Sequence, residues 1–206
     1  PDATRLAVSG ASGVLKIFDT ATCELLAEKA GFTYDYSRRA FASSDNRFIF
    51  LTGSAPTLLD AQTGEVIRTF DVGVLEMEPE RAVFSPDSRY VALLDNCKIV
   101  SVDLTTGEVI ATQEKCSVLT YALRPGSPTL AVFYNQNVID LLEIPSLEGK
   151  RLDYHFSGLS NALAFSPDGQ KLAVANFSDI SIIDIDSGQV SMSLETGFQA
   201  NFLTYS

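Results

Sequence analysis

The lines "FSPDSRYVALL" (84–94) and "FSPDGQKLAVA" (165–175) are two copies of one phrase, and their match decides how the whole chain is read. Weaker copies stand at "ASSDNRFIFLT" (42–52) and "LRPGSPTLAVF" (123–133), and the opening "PDATRLAVSG" begins inside another. The Pro position falls at 1, 44 (a Ser), 86, 125 and 167, in steps of 39 to 43 residues. A second landmark keeps the same step: "FDTATCELL", "LDAQTGEVI", "VDLTTGEVI", "LEIPSLEGK" and "IDIDSGQVS" set an acidic residue at Asp19, Asp60, Asp103, Glu143 and Asp184. Two landmarks holding one period define an internal repeat. They predict five units, at about 1–41, 42–83, 84–122, 123–164 and 165–206.

Each unit reads as strand. In the last one, short segments at 162–165, 172–175, 180–183 and 190–194 are rich in β-branched and apolar residues and are separated by turn chemistry. Ser-Pro-Asp-Gly fixes φ at Pro and accepts a left-handed residue at Gly, while Asp-x-x-Thr-Gly places Gly64, Gly107 and Gly188 where a hairpin needs positive φ. No stretch carries a capped 3.6-residue amphipathic pattern, so helices are minor or absent. Lines such as "LAVA", "YVALL" and "SIIDI" are nearly continuously apolar, which fits sheets buried on both faces. Four strands at a period near forty residues are the unit of a β-propeller.

At the level of period and strand pattern the whole chain resembles the WD-repeat and related seven-bladed propellers. The line "LAVSGASGVLKIFD" (6–19) is similar to the middle of a WD repeat, with Phe18-Asp19 where Trp-Asp would stand. The chain has no Trp and no Gly-His dipeptide, and its one His, His155, lies near but not at the matching place, so the bracing set of a regular WD blade is not assembled. Quinoprotein-type and YVTN-type propellers are similar too. The resemblance implies an all-β propeller of about five four-stranded antiparallel blades, either a closed five-bladed ring or an arc of a seven-bladed one. The arc is the expectation, because WD-like rings rarely hold five blades and the chain starts without Met inside a turn. Residues 200–206 read as the first strand of a blade, with Leu203, Tyr205 and Ser206 matching Leu163, Phe165 and Ser166; residues 1–28 read as the other three strands of a blade that lacks it.

Composition bounds the partners. The 206 residues are 46% hydrophobic, enough to fill a core, yet no apolar run approaches the roughly 20 residues of a membrane helix. A net charge of -11 repels a nucleic-acid backbone. Cys23, Cys97 and Cys116 are odd in number and form no C-x-x-C pair, which fits small, partly buried free thiols in a reducing compartment. The expectation is an intracellular protein, cytoplasmic or nuclear, with no direct nucleic-acid partner and no membrane insertion.

Catalytic and metal constellations are not found, and no catalytic, cofactor or metal residue is assigned. No G-x-S-x-G elbow exists, and "SGASG" (9–13) reads as a tight turn. "GASGVLK" lacks phosphate-loop spacing. "DIDSG" (184–188) carries Asp184 and Asp186 without the further ligands of a calcium loop, and reads as the recurring hairpin turn. "NFS" (176–178) is a formal glycosylation sequon. Partner-binding residues stand in two connections. "GFTYDYSRRAF" (31–41) gathers Tyr34, Tyr36, Arg38 and Arg39, the residue types enriched at interface hot spots. "DVGVLEMEPER" (71–81) offers Glu76, Glu78 and Glu80 as an acidic ledge for a basic partner. The expected function is a non-enzymatic protein–protein interaction scaffold, joined to other subunits of a larger complex. The alternative is a propeller enzyme or ligand-binding domain of lactonase or quinoprotein-dehydrogenase kind, with its site at the channel mouth.

Overall fold

Every strand of the chain pairs with its neighbour in sequence, and the result is a series of small meandering sheets. The computed structural model describes residues 4–10, 12–32, 39–134, 138–152, 162–176 and 178–205. The chain divides into two compact units, Pro1–Gln113 and Glu114–Ser206.

In the first unit, β1 (Arg5–Ser9), β2 (Val14–Asp19) and β3 (Leu25–Ala30) form a three-stranded sheet. The second sheet follows as β4 (Ala40–Ala42), β5 (Phe48–Leu51), β6 (Thr57–Asp60) and β7 (Val66–Thr69). A single helical turn, α1 (Val72–Leu75), leads to the third: β8 (Arg81–Phe84), β9 (Tyr90–Leu94), β10 (Lys98–Asp103) and β11 (Val109–Glu114). The second unit holds a fourth sheet, β12 (Val118–Leu123), β13 (Thr129–Tyr134), β14 (Val138–Glu143) and β15 (Gly149–Leu152). Its fifth sheet is β16 (Ala162–Phe165), β17 (Lys171–Ala175), β18 (Asp179–Asp184) and β19 (Val190–Glu195). The protein is therefore all-β, built of about five blade-like antiparallel sheets, as the repeat predicts.

Both turn landmarks do the work expected of them. In the last hairpin of each sheet, Asp19 Oδ1 accepts from the Ala21 and Thr22 N–H groups at 2.8 Å each, and Asp60 Oδ1 accepts from Gln62 and Thr63 at the same distances. The residue four places on takes positive φ in every repeat: Cys23, Gly64, Gly107, Leu147 and Gly188. In the earlier turn, a buried serine hydroxyl accepts the N–H of the residue five places on, as Ser85 does from Tyr90 at 3.0 Å and Ser166 from Lys171 at 2.9 Å. Each turn thus meets its own hydrogen-bonding needs, which releases the strands to be almost wholly apolar. Of "SGASG", Gly13 stands just before β2 with φ +74°, where a Cβ would lie 2.0 Å from the Phe32 carbonyl oxygen; Ala11 lies outside the described residues.

Register is repeated as well as length. Leu6↔Phe18, Ile49↔Leu59, Val91↔Val102, Leu130↔Leu142 and Leu172↔Ile183 are the same cross-strand pair in five sheets. Within a unit, these pairs pack on the opposite face of the preceding sheet. Ile49, Leu51, Leu59 and Ala61 close on Leu15 and Ile17. Val91, Leu93, Val100, Val102 and Leu104 close on Phe50, Leu58 and Phe70. Leu172, Val174, Ile183 and Ile185 close on Ala131, Phe133, Ile139 and Leu141. Side chains so buried contribute about 1.5–3 kcal/mol each. Arg68 Nη2, reaching the Thr105 carbonyl at 3.1 Å, ties the second sheet to the third.

Two expectations are corrected. Residues 199–205 lie in no strand: they pair with no sheet, and an unpaired segment does not hold strand structure by itself. Ser206 lies outside the described residues. The thiols of Cys23, Cys97 and Cys116 are all exposed rather than partly buried, since each sits in a turn or connection, outside the strands that fill the core.

Candidate functional site

The acidic ledge is built by a chain that alternates inward and outward. Asp71 caps α1, its Oδ1 accepting from Gly73 N at 2.7 Å, and Glu76 ends the turn at φ 54°. From there Leu75, Met77 and Pro79 are buried while Glu76, Glu78 and Glu80 are exposed. Leu75 and Met77 anchor the segment in the core of the second and third sheets, and the period of two turns the carboxylates to solvent. Gly53 N donates to the Pro79 carbonyl at 2.9 Å and Glu80 N to that of Leu94 at 3.0 Å, so the ledge is held by backbone on both sides.

Lys98 takes one of the three charges. Its Nζ lies 2.9 Å from Glu76 Oε2, and that hydrogen bond holds the Glu76 carboxyl below its usual range. Among the described residues, no ion pair engages Glu78 or Glu80. Arg39 is exposed and stands at the same end of the unit: its backbone exchanges hydrogen bonds with Thr52, whose neighbour Gly53 bonds Pro79. Tyr34, Tyr36 and Arg38 lie outside the described residues, as does His155. Of the seven residues singled out in sequence, the structure gathers Arg39, Glu76, Glu78 and Glu80 at one end of the first unit.

A charged cluster in the second unit escapes sequence reading. Asp140, on β14, is buried, and its Oδ1 accepts from Arg151 Nε at 2.9 Å while its Oδ2 takes the Lys115 ammonium. Burial raises the Asp140 carboxyl, but the bonds from Arg151 and Lys115 outweigh it and hold the group below its usual range. The Lys115 ammonium also lies 5.5 Å from the Tyr134 ring centroid, and burial, then the Asp140 charge, pushes the Tyr134 hydroxyl above its usual range. Such a phenol stays neutral and such a carboxylate stays ionised, so the group is a brace in which one buried anion holds two cations. The signal available in sequence was an Asp in the line "VIDLLE", at a position where the other repeats carry Lys16, Thr57, Val100 and Ser181.

Other candidates resolve into structure. Asp184 Oδ1 accepts from Ser187 N at 2.9 Å and Ser187 Oγ at 2.8 Å, which makes it a turn residue. Asn176 of the sequon is buried, with Nδ2 donating to Asp179 and Ser181, so glycan transfer has no access to it. Among the described residues no group of three His, Cys, Asp or Glu side chains converges as a metal set, and no helix is long and apolar enough to cross a membrane. Compared with models of known families and with curated proteins, the chain matches none.

Proposed function

We propose that the chain is a WD-repeat-like propeller module with no enzymatic role, whose loop surface docks protein partners within a larger, intracellular assembly. The observation that carries the reading is the ledge: three exposed carboxylates on a segment fixed by a capped turn, three buried side chains and two backbone hydrogen bonds. A surface held in this way loses little conformational entropy when a partner binds. Two carboxylates that no ion pair engages among the described residues, beside one already neutralised, suit a basic partner segment, and an acidic protein draws such a segment electrostatically. The exposed free thiols go with a reducing compartment, cytoplasmic or nuclear.

The test is affinity capture from cells with the chain and with a Glu78→Lys/Glu80→Lys variant. Proteins that crosslink to the ledge, and are lost from the variant and at high salt, are the expected result. Recovery of the same proteins by both baits, or of none by either, overturns the reading.

A further inference from the structure

The hollow between the second and third sheets gathers positive charge on a protein whose net charge is -11. Its volume of about 480 Å³ is that of a small-ligand site, and in it Arg47, Arg68 and Arg89 stand beside apolar Phe48, Ile67 and Leu104. Two of the arginines are already paired. Arg47 meets Asp45 at 2.5 Å and lies 4.9 Å from the centroid of the Phe48 ring, while Arg89 meets Asp103 at 3.2 Å and lies 5.0 Å from that of Tyr90. Arg68 differs from both. Its Nη2 donates to the Thr105 carbonyl, and among the described residues no carboxylate pairs with it. Three guanidiniums against two carboxylates leave the hollow with one positive charge; the Asp60 and Asp87 carboxylates of neighbouring turns do not line it and accept from their own turns.

Two donors on its wall also lack an acceptor. Arg68 Nε and Ser88 Oγ are buried and have no hydrogen-bond partner among the described residues. The Ser88 hydroxyl helps hold the Asp45 carboxyl down, yet it stays beyond hydrogen-bond distance. Ser88 besides takes φ 55°, where the fifth sheet has Gly169. An unmet buried donor and a strained turn both cost stability, and the repeat requires neither. The matching hollow between the fourth and fifth sheets, of about 330 Å³, has Pro128, Lys150, Gln170 and Gly169 where this one has Arg47, Arg68, Arg89 and Ser88. Its lining charges cancel, Arg124 and Lys150 against Glu143 and Asp186.

We propose that the hollow between the second and third sheets binds a small organic acid, with the carboxylate on Arg68 Nε, Ser88 Oγ and the turn arginines and the apolar body on Phe48, Ile67 and Leu104. One monoanion cancels the remaining charge, and its two oxygens supply the acceptors that the buried donors lack, in the geometry a guanidinium fork matches. The side chains of Arg47 and Arg89 are 62% and 60% exposed, so they form the rim, and their rearrangement opens the two donors to the ligand. This site goes beyond the docking role of the ledge and shares no residue with it.

The test is a titration of the full chain with isocaproate, a leucine-shaped carboxylic acid, followed in proton–nitrogen correlation spectra by arginine Nε–H and backbone amide signals. The expected result is a saturable shift centred on Arg68 Nε–H and on the Ser88 and Thr105 amides. Isocaproamide, the neutral isostere, gives none, and inorganic phosphate binds more weakly because its second charge is not matched. The peptide Gly-Gly-Gly-Leu, which presents the same group at a chain end, also binds more weakly. Two variants keep the fold. Ser88→Gly installs the residue type of Gly169, and Arg68→Lys keeps the charge and the carbonyl bond, as Lys150 does with Ile185 at 3.1 Å. Each weakens isocaproate binding by roughly tenfold, the loss of one charge-assisted hydrogen bond, while Ser88→Gly melts at a higher temperature than the unaltered chain. No saturable shift, an equal response to the amide, tighter binding of phosphate or of the peptide, or variants that bind as the unaltered chain does would each overturn the proposal. Glu78 and Glu80 are untouched throughout, so this experiment and the capture on the ledge can fail independently.

Discussion

Arg151 Nε donates to Asp140 Oδ1 at 2.9 Å from one side, and Lys115 meets the other oxygen of the same buried carboxylate. Neutralising that carboxylate leaves two cations facing an amide. Asp140→Asn is expected to cost about 1–3 kcal/mol, less than for a fully buried triad because Arg151 and Lys115 keep access to water. The urea midpoint measures it, and a midpoint unchanged from that of the unaltered chain contradicts the assignment of Asp140 as a brace.

Tyr134, beside the brace, makes the opposite prediction. Its hydroxyl is buried and has no hydrogen-bond partner among the described residues. Tyr134→Phe removes a desolvated polar group and keeps the ring under Lys115, so stability rises by about 0.5–1 kcal/mol. A loss of stability in the same denaturation experiment would show that the hydroxyl has a partner.

Two non-glycine residues hold the left-handed turn position, and they part company on substitution. Cys23 has φ 59° and is exposed; Leu147 has φ 56° and is 1% exposed. Cys23→Gly relieves the αL strain and loses no packing, for a net gain of about 0.5–1 kcal/mol. Leu147→Gly relieves the same strain but vacates a core site, for a net loss of about 2–4 kcal/mol. Thermal melts of the pair, expected to move in opposite directions, check both.

The turn aspartates set the acid limit of the fold. Burial pushes Asp45 up, but hydrogen bonds from Ser43 and Arg47 win and hold it at about 2. The Asp19 carboxyl is held down by the Thr22 and Ala21 N–H groups, and that of Asp168 by Ser166 and Gln170. A depressed folded-state value means that stability is fully present above the unfolded value, near 4, and is lost as pH falls through the folded one. The melting temperature should therefore hold down to about pH 4 and fall steeply between about pH 4 and pH 2. Asp45→Asn lowers it at neutral pH by about 2–4 °C, the shift of roughly 1 kcal/mol in a chain of this size, and removes part of the acid slope.

Architecture was legible because it rests on local chemistry. The Ser-Pro-Asp and Asp-x-x-Thr-Gly turns satisfy themselves within five residues, so their spelling survives in sequence, and the period follows from them. The ledge was half legible. The acidic residues were visible in "DVGVLEMEPER", but not the pairing of Glu76 with Lys98, which lies 22 residues away. The Asp140 cluster joins residues from a connection and two strands, and only tertiary structure brings those together. The exposed thiols were misread because a small apolar residue type was taken for a core residue when it occupied turns.

The strand orders β4-β5-β6-β7 and β16-β17-β18-β19 have a kinetic meaning. Every ladder joins strands adjacent in the chain, so no long loop must close before a sheet can form. Hairpins of this kind form in about 1–10 μs. The slower event is the meeting of one finished sheet with the next, when Phe50 and Phe70 of one come against Val91 and Val102 of the other. Mutations at the turns should then act on the first, fast phase of refolding, and mutations between sheets on the last.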